Sequence, residues 1–389
     1  MPHKFKLDKP PIGYAASACG PGESTVQVVS TEFSSTEDGQ HFINRLEGFP
    51  MDVLSEIRKT GTDISPSRVD HMLVLIDADA NVTAYVNELK LHAMFRVGRS
   101  IEAGESVFKN DIVDIHSFGF DDVKIPDDVG VLFVFSVGWR KGLFFDYRPL
   151  PPLFQPIKYD LNATFGQFYA HVLFQERFSI SNSDWEHLFD SGWFPFNALT
   201  GDNIQSILTY VRNGWKQANL LEKLTENIVA KVEDFRACWS KADVFEDHSC
   251  LLTHSLDRFV NHDYISCISI LYPRIEGLLR SNHRSLGDQR QASQKNLSET
   301  AVRRYAWNER CVLLPRRFQA YLESVYFQSF DPNNRDINCS RNSVGHGVAN
   351  QDNFNQQAAI VAILVVQQLF YFFSETDKRV TGPQTESGS

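Results

Sequence analysis

The segment SRNSVGHG at residues 340–347 contains the side chains best suited to chemistry in this 389-residue chain. Arg341 presents a rigid fork of N–H donors, which suits an oxygen atom that gains negative charge during a reaction. His346 brings an imidazole, the side chain type best suited to exchanging protons near neutral pH. Asn342 adds an amide that both donates and accepts hydrogen bonds. These residue types predict an acid–base site that includes an anion-stabilising group.

The spacing of Arg341 and His346 sets a geometric condition on that site. In an unbroken helix, five positions correspond to a rotation of about 500°, which leaves the two side chains about 140° apart around the axis. Gly345 and Gly347 indicate that the helix is interrupted or capped at this point. We therefore expect the guanidinium and the imidazole to meet at the edge of a helix.

The pattern Arg341-Asn342-x-x-x-His346-Gly347, placed ahead of the last apolar helix, resembles the signature of the HEPN superfamily of helical-bundle proteins. The segment YPRIEGLLR is similar to the acidic helix of such bundles, in which a glutamate matching Glu276 lies near the motif. The resemblance covers residues 217–376 only. It implies metal-independent RNA cleavage without a cofactor, in a homodimer whose two motifs face each other in one cleft.

The same resemblance implies a catalytic role for four residues. The ribose 2′-hydroxyl would attack the adjacent phosphorus, leaving a 2′,3′-cyclic phosphate and a 5′-hydroxyl, which DNA cannot do. His346 would transfer the proton, and Arg341 would stabilise the phosphate. Asn342 would bond the phosphate or the imidazole, and Glu276 would complete the set. A role as a toxin or a phage-defence effector follows by analogy alone.

A local concentration of basic side chains supports contact with RNA. Residues 274–317 contain ten basic side chains and four acidic ones, a net charge of +6 in a chain whose formal charge is −10. An acidic chain repels phosphates unless its basic residues are clustered, so any RNA contact must be a patch. The rings of Tyr305, Trp307 and Phe318 lie among these residues and would stack on bases. The predicted substrate-binding residues are Arg280, Arg303, Arg304, Arg316 and Arg317.

The same residues also permit a simpler interpretation. Arg341 and His346 are suited to capping a helix and to satisfying buried polar groups. Arg280 lies four residues after Glu276, which is the spacing of an ordinary ion pair on a helix surface. The alternative function is therefore a non-catalytic dimerisation or nucleotide-binding or RNA-binding module, in which Arg341 holds a phosphate that is not cleaved.

Two further groups of residues resemble metal sites. The segment DADAN at 77–81 mimics a calcium-binding loop, but Val82 stands where such a loop needs glycine, and strand-like segments flank it. We predict a hairpin turn rich in Asp and Asn instead. The second group consists of Cys238, His248, Cys250 and His254. The spacing of these four residues is not that of a known zinc site. No metal site is predicted.

Hydrophobic periodicity predicts an α+β protein. Short alternating apolar runs between residues 26 and 150 indicate strands, with hairpins at 77–81 and 138–142. After LPPLFQP at 150–156 the apolar period becomes helical. We predict a β-rich N-terminal domain that binds or senses a regulatory ligand or protein, then a helical connector, a HEPN-like helical bundle and a disordered tail, with the respective boundaries 1–155, 156–216, 217–376 and 377–389.

Composition and the chain ends predict a cytoplasmic protein with no membrane segment. The chain is 42% hydrophobic and 22% charged, which is typical of soluble globular proteins. The first residues, MPHKFKLDKPPIGY, have no apolar core of the kind found in secretory signals. The six cysteines form no Cys-x-x-Cys pair, which predicts reduced thiols. The apolar run at 358–373 is shorter than the ~20 residues of a membrane span and contains Gln367 and Gln368, so we predict a buried core helix.

Overall fold

The computed structural model describes residues 1–11, 20–22, 30–306, 308–331 and 339–374. The chain divides into two compact units. The N-terminal unit comprises Met1–Phe95 and Ile115–Gln175, and the C-terminal unit comprises Arg96–Asp114 and Glu176–Ser389. An antiparallel sheet dominates the first unit and helices dominate the second, which confirms the predicted α+β class. The predicted tail at 377–389 lies outside the described residues.

The strands form two sheets and lie between residues 3 and 146. They are β1 (His3–Lys6), β2 (Thr31–Ser35), β3 (His71–Ile76), β4 (Asn81–Val86), β5 (Leu91–Val97), β6 (Ile112–Phe120), β7 (Gly130–Val137) and β8 (Arg140–Asp146). The larger sheet has the order β1-β4-β3-β7-β8-β2, and all its neighbouring strands are antiparallel. The smaller sheet pairs β5 with β6.

Both predicted hairpins are present, as β3–β4 and β7–β8. The Asp77 carboxylate stabilises the first turn because it accepts hydrogen bonds from the backbone N–H of Asp79 at 3.0 Å and of Asn81 at 2.9 Å. The side-chain amide of Asn81 also donates to Asp77 at 2.8 Å, and this bond lowers the pKa of Asp77. The segment that resembles a calcium loop is therefore a hydrogen-bonded turn.

Helices cover both faces of the large sheet. One face packs against α1 (Gln40–Glu47) and α2 (Phe49–Lys59), which the sequence analysis did not predict. The other face packs against α3 (Leu161–Leu173) through Phe165, Phe168 and Val172. Since the apolar face of α3 completes this core, the N-terminal unit extends to Gln175, whereas the sequence analysis placed the boundary at residue 155 and assigned α3 to a connector.

The remaining helices follow along the rest of the described chain. They are α4 (Gln175–Phe178), α5 (Asn182–Asp190), α6 (Gly201–Arg212), α7 (Ala218–Val229), α8 (Val232–Trp239), α9 (Ser249–Val260), α10 (Tyr264–Ser285), α11 (Gln294–Val302), α12 (Pro315–Tyr321), α13 (Arg341–Gly345) and α14 (Gln356–Phe373). A π-helical turn at Leu322–Tyr326 follows α12. The stretch 221–239, whose apolar period is helical throughout, is divided between α7 and α8.

The apolar helix α14 lies in the core of the C-terminal unit, where it packs against α10. Its length and composition would allow it to cross a membrane, but 83% of it is buried. The two glutamines in its middle are also buried and have partners: the indole of Trp239 donates to Gln367 at 2.7 Å, and the backbone N–H of Asn197 donates to Gln368 at 2.9 Å. This confirms the predicted buried core helix.

The β7–β8 hairpin depends on a glycine that has no room for a side chain. Gly142 stands directly opposite Phe135, and a Cβ at position 142 would overlap the phenylalanine ring. We expect Gly142→Val to lower the free energy of unfolding by about 1–3 kcal/mol, because overpacking forces the ring and the strands apart. Urea denaturation followed by far-ultraviolet circular dichroism measures this change.

The matched control for this prediction is Gly138→Asn in the turn of the same hairpin. Gly138 has a φ of +61° and open space around its Cβ position. Asparagine tolerates this left-handed conformation, so the control should change the free energy of unfolding by less than about 1 kcal/mol. Equal losses in the two variants would contradict the packing explanation.

Candidate functional site

A buried pair of serines fixes the start of α13, the helix that carries the motif. Ser340 Oγ accepts a hydrogen bond from the Ser343 backbone N–H at 3.1 Å, and Ser343 Oγ accepts one from the Ser340 backbone N–H at 2.9 Å. Ser340 Oγ also donates to the carbonyl of Gln328 at 2.9 Å. These bonds satisfy donors that a helix start leaves unpaired, so the position of Arg341 as the first helical residue is well defined.

The glycines end α13 in the way that the sequence predicts. The helix ends at Gly345, His346 is the capping residue, and Gly347 has a φ of +69°. The backbone N–H groups of Gly347 and Val348 donate hydrogen bonds to the carbonyls of Val344 and Ser343 at 3.1 and 3.0 Å. Such bonds satisfy the last carbonyls of a helix. His346 therefore lies on a tight turn at the exposed end of α13.

The centre of the site is the carboxylate of Glu276 on α10, whose side chain is only 7% exposed. Arg341 forms an ion pair with its Oε2 atom through Nε. Arg280 forms an ion pair with its Oε1 atom through Nη2 at 2.6 Å. The structure thus joins the motif to α10 through Glu276, and it also contains the ordinary ion pair between Glu276 and Arg280.

Two cations and one buried anion give this cluster a formal charge of +1. The carboxylate needs such partners because an unpaired charge in a protein interior is costly. Burial, and next the charge of Glu276, raise the pKa of the nearby hydroxyl of Tyr326, which donates to the carbonyl of Tyr272 at 2.6 Å. Arg341 keeps 29% of its side chain exposed and Arg280 keeps 48%, so solvent reaches both guanidinium groups.

The side chain of Asn342 anchors α13 to the chain before it. Its amide group donates to the carbonyls of Phe327 at 2.8 Å and Gln328 at 3.3 Å. Its oxygen accepts a hydrogen bond from Gln294 at 2.7 Å. The sequence analysis expected Asn342 to bond the phosphate or the imidazole. These three bonds position the helix, and a contact of Asn342 with a phosphate or with the imidazole stays a prediction.

His346 is exposed, and its ring lies 5.6 Å from that of Phe330, centre to centre. The guanidinium of Arg341 runs along α13 towards the same turn, since a Cβ on Gly345 would lie 3.5 Å from Nη1 of Arg341. The structure therefore gathers Glu276, Arg280 and Arg341 into one cluster and places His346 on the turn that ends the same short helix.

Two of the predicted substrate-binding arginines have carboxylate partners elsewhere in the C-terminal unit. Arg303 forms an ion pair with Asp288, which Arg290 also contacts at 2.9 Å. Hydrogen bonds from Arg290, followed by those from Arg303, lower the pKa of Asp288. Arg316 pairs with Glu309 at 2.8 Å, with both side chains about two-thirds exposed. Their positive charge is largely neutralised within the chain.

The remaining members of the basic group differ in their surroundings. The guanidinium of Arg317 lies 5.0 Å above the ring of Trp185 and donates to Asn182 at 3.0 Å. Arg304 is exposed. Trp307, which the sequence analysis placed among the stacking residues, lies outside the described residues. Of the five predicted substrate-binding arginines, Arg280 is the one that contacts the Glu276 cluster.

A cavity of about 690 Å³ lies inside the C-terminal unit. Its walls include Tyr272 and Ile275 of α10, Val361 of α14, and the residues Gln328 and Cys339 on either side of 332–338. Arg341 and His346 are not among its lining residues. The candidate site therefore lies outside this cavity, and a cleft that needs a second copy of the chain stays a prediction.

No protein-family model matches this chain, and neither a curated protein nor a solved structure matches it. Sequence reasoning missed two contacts of the motif, Gln294 and Phe330. The sequence around these two residues does not indicate either contact, because both residues meet the motif only through tertiary packing. The Ser340–Ser343 pair was also missed, although serines three residues apart at a helix start are a recognisable capping pattern.

We expect the neutral substitution Glu276→Gln to lower the free energy of unfolding by about 1–3 kcal/mol. It removes the anion that Arg280 and Arg341 share, while the size of the side chain stays nearly the same. Urea denaturation of the full chain measures the effect. The control Glu309→Gln removes an exposed partner of Arg316 and should cost less than about 1 kcal/mol. If Glu276→Gln leaves the free energy of unfolding unchanged, the cluster contributes nothing to stability.

Proposed function

We propose that this protein is a metal-independent endoribonuclease whose reacting groups are Arg341 and His346. The observation that supports it best is that α13 presents both residues near solvent while buried Glu276 holds the guanidinium. The ion pair uses Nε of Arg341, and Nη1 donates one hydrogen bond to Asn342 at 3.4 Å, so the terminal nitrogens retain further N–H groups that suit phosphate oxygens. The resemblance of the motif to HEPN proteins points to the same chemistry.

In the proposed reaction, the bond between O2′ of a ribose and the adjacent phosphorus forms while the bond from phosphorus to O5′ breaks. An imidazole accepts the proton of the 2′-hydroxyl, and an imidazolium gives a proton to the departing O5′. Arg341 stabilises the negative charge that grows on the phosphate oxygens. One chain supplies one His346, so a homodimer through the C-terminal unit would provide both the base and the acid.

The second candidate is a non-catalytic module that binds RNA or a nucleotide and dimerises. It is favoured by contacts of the motif within the chain. The side-chain amide of Asn342 donates to the carbonyls of Phe327 and Gln328, and Nε of Arg341 forms an ion pair with Glu276. In that function Arg341 grips a phosphate, and no bond breaks. A regulatory role for the N-terminal unit would fit either function.

We expect His346→Ala to lower the rate of RNA cleavage by about 100-fold or more, since it removes the group that transfers the proton. Arg341→Ala should cause a similar loss of transition-state stabilisation. The assay uses a defined RNA with EDTA present and maps the ends of the products. Cyclic 2′,3′-phosphates and 5′-hydroxyl ends are expected, and an all-DNA oligonucleotide should stay intact.

The control is Arg236→Ala on α8, whose arginine pairs with Asp257 at 2.5 Å and lies outside the proposed site. This variant should cleave at the wild-type rate, and expression of the wild type but not of His346→Ala should be toxic. Wild-type protein that binds RNA without cutting it would favour the second candidate. Undiminished cleavage by either motif variant would refute the proposed mechanism.

A further inference from the structure

Helix α10 carries a second group of polar residues beside the one that holds Glu276. Arg274, Gly277, Ser281 and Arg284 follow each other at spacings of three, four and three, so they form one stripe along the helix. His248, which immediately precedes α9, packs onto this stripe. In the sequence analysis this histidine belonged to a set that was dismissed as a metal site.

The packing of His248 depends on the absence of a side chain at position 277. A Cβ on Gly277 would lie 2.8 Å from Cε1 of the imidazole, so the glycine lets the ring approach the helix closely. The buried ring places its Nε2 atom 3.1 Å from Oγ of Ser281. Burial lowers the pKa of His248, and the charges of Arg274 and Arg284 lower it further, against a smaller opposing effect of Asp247. These effects together favour the neutral form of the imidazole.

Ser281 receives a second contact from Arg284, whose Nη2 donates to Oγ at 3.2 Å. Neither Arg274 nor Arg284 forms an ion pair with a described residue, in contrast to Arg280, which shares Glu276. Arg284 therefore contacts a hydroxyl that a buried histidine anchors, and the charges of Arg274 and Arg284 both act on that histidine. Such a set of donors matches a phosphate group, whose oxygens accept several charge-assisted hydrogen bonds.

The position of this stripe indicates which phosphate it would bind. Arg280 of the Glu276 cluster and Arg284 of the stripe are four residues apart on α10, which is one helical turn or about 6 Å along the axis. A polyanion that contacts Arg341 and Arg280 can thus continue onto the stripe. A continuous chain of phosphates satisfies both groups, whereas a single free anion reaches one of them.

We propose that Arg274, Ser281 and Arg284 bind a backbone phosphate of the RNA whose scissile bond lies at Arg341 and His346, and that His248 is a positioning residue for Ser281. This inference rests on the proposed function, because it extends the path of the same RNA. It assigns a second contact a short distance from the reacting groups, on the surface of the same helix.

The test uses a fluorescent 2′-O-methyl RNA, which keeps the phosphates and lacks the attacking hydroxyl. Fluorescence anisotropy of the full chain at several salt concentrations gives Kd and its salt dependence. We expect Arg274→Ala and Arg284→Ala each to raise Kd by about 3- to 10-fold and to reduce the salt slope by ~0.7, the value for one contact to single-stranded nucleic acid. Arg236→Ala is the matched control and should leave both quantities unchanged.

His248→Gln separates positioning from charge. It should raise Kd with no change in the salt slope, because a neutral residue that positions Ser281 contributes no phosphate contact of its own. Far-ultraviolet circular dichroism confirms that each variant is folded, and Arg284→Lys, which keeps the charge, should retain the salt slope even if its affinity falls. A His248→Gln variant that binds like the wild type would refute its positioning role.

The outcomes distinguish this inference from the proposed function. Wild-type Kd and salt slope in Arg274→Ala and Arg284→Ala would overturn the phosphate site, even if Arg341→Ala abolishes cleavage. Conversely, weaker binding in the two stripe variants, together with full cleavage by His346→Ala, would support the phosphate site and refute the nuclease mechanism. Failure of the wild type to bind the RNA at all would overturn both.

Discussion

The candidate site depends on one buried carboxylate. Glu276 lies on α10 inside the C-terminal unit, and its two oxygens hold one arginine from its own helix and one from α13. Removing a partner from a buried charge is more destabilising than the net contribution of the pair would suggest, because the remaining charge stays in a poor solvent. The carboxylate therefore holds a five-residue helix, too short to be stable alone, against a helix of 22 residues.

Other contacts position the rest of α13. The serine pair fixes its first turn, Asn342 ties it to the carbonyls that follow the π-helical turn, and Gly347 closes its end. These are contacts of backbone and neutral groups, and they leave the exposed imidazole of His346 and part of Arg341 available to a ligand. The polar residues of the motif thus have two roles. Some of them stabilise the short helix, and others are exposed on its surface.

The fold class and the main hairpins were predictable because alternation along strands and the helical period are local properties of the sequence. The same holds for the burial of α14 and for the end of α13 at its glycines. The N-terminal unit was harder to delimit, since the packing of α3 on the sheet is a tertiary property of Phe165, Phe168 and Val172. The pairing of Glu276 with Arg341, residues 65 positions apart, was accessible through the family resemblance and not through spacing.

The same limit applies to the basic segment at 274–317. A charge count taken from the sequence does not show which charges are paired. In the structure, Arg303 and Arg316 each form an ion pair with a carboxylate. Because the whole chain has a formal charge of −10, its overall field repels RNA, and any binding would have to come from cations that stay unneutralised at short range. On α10 these are Arg274 and Arg284, together with Arg280, which shares the Glu276 carboxylate with Arg341 of α13. The excess positive charge of that helix, rather than the composition of residues 274–317, is the physical basis for expecting a phosphate chain to follow its surface.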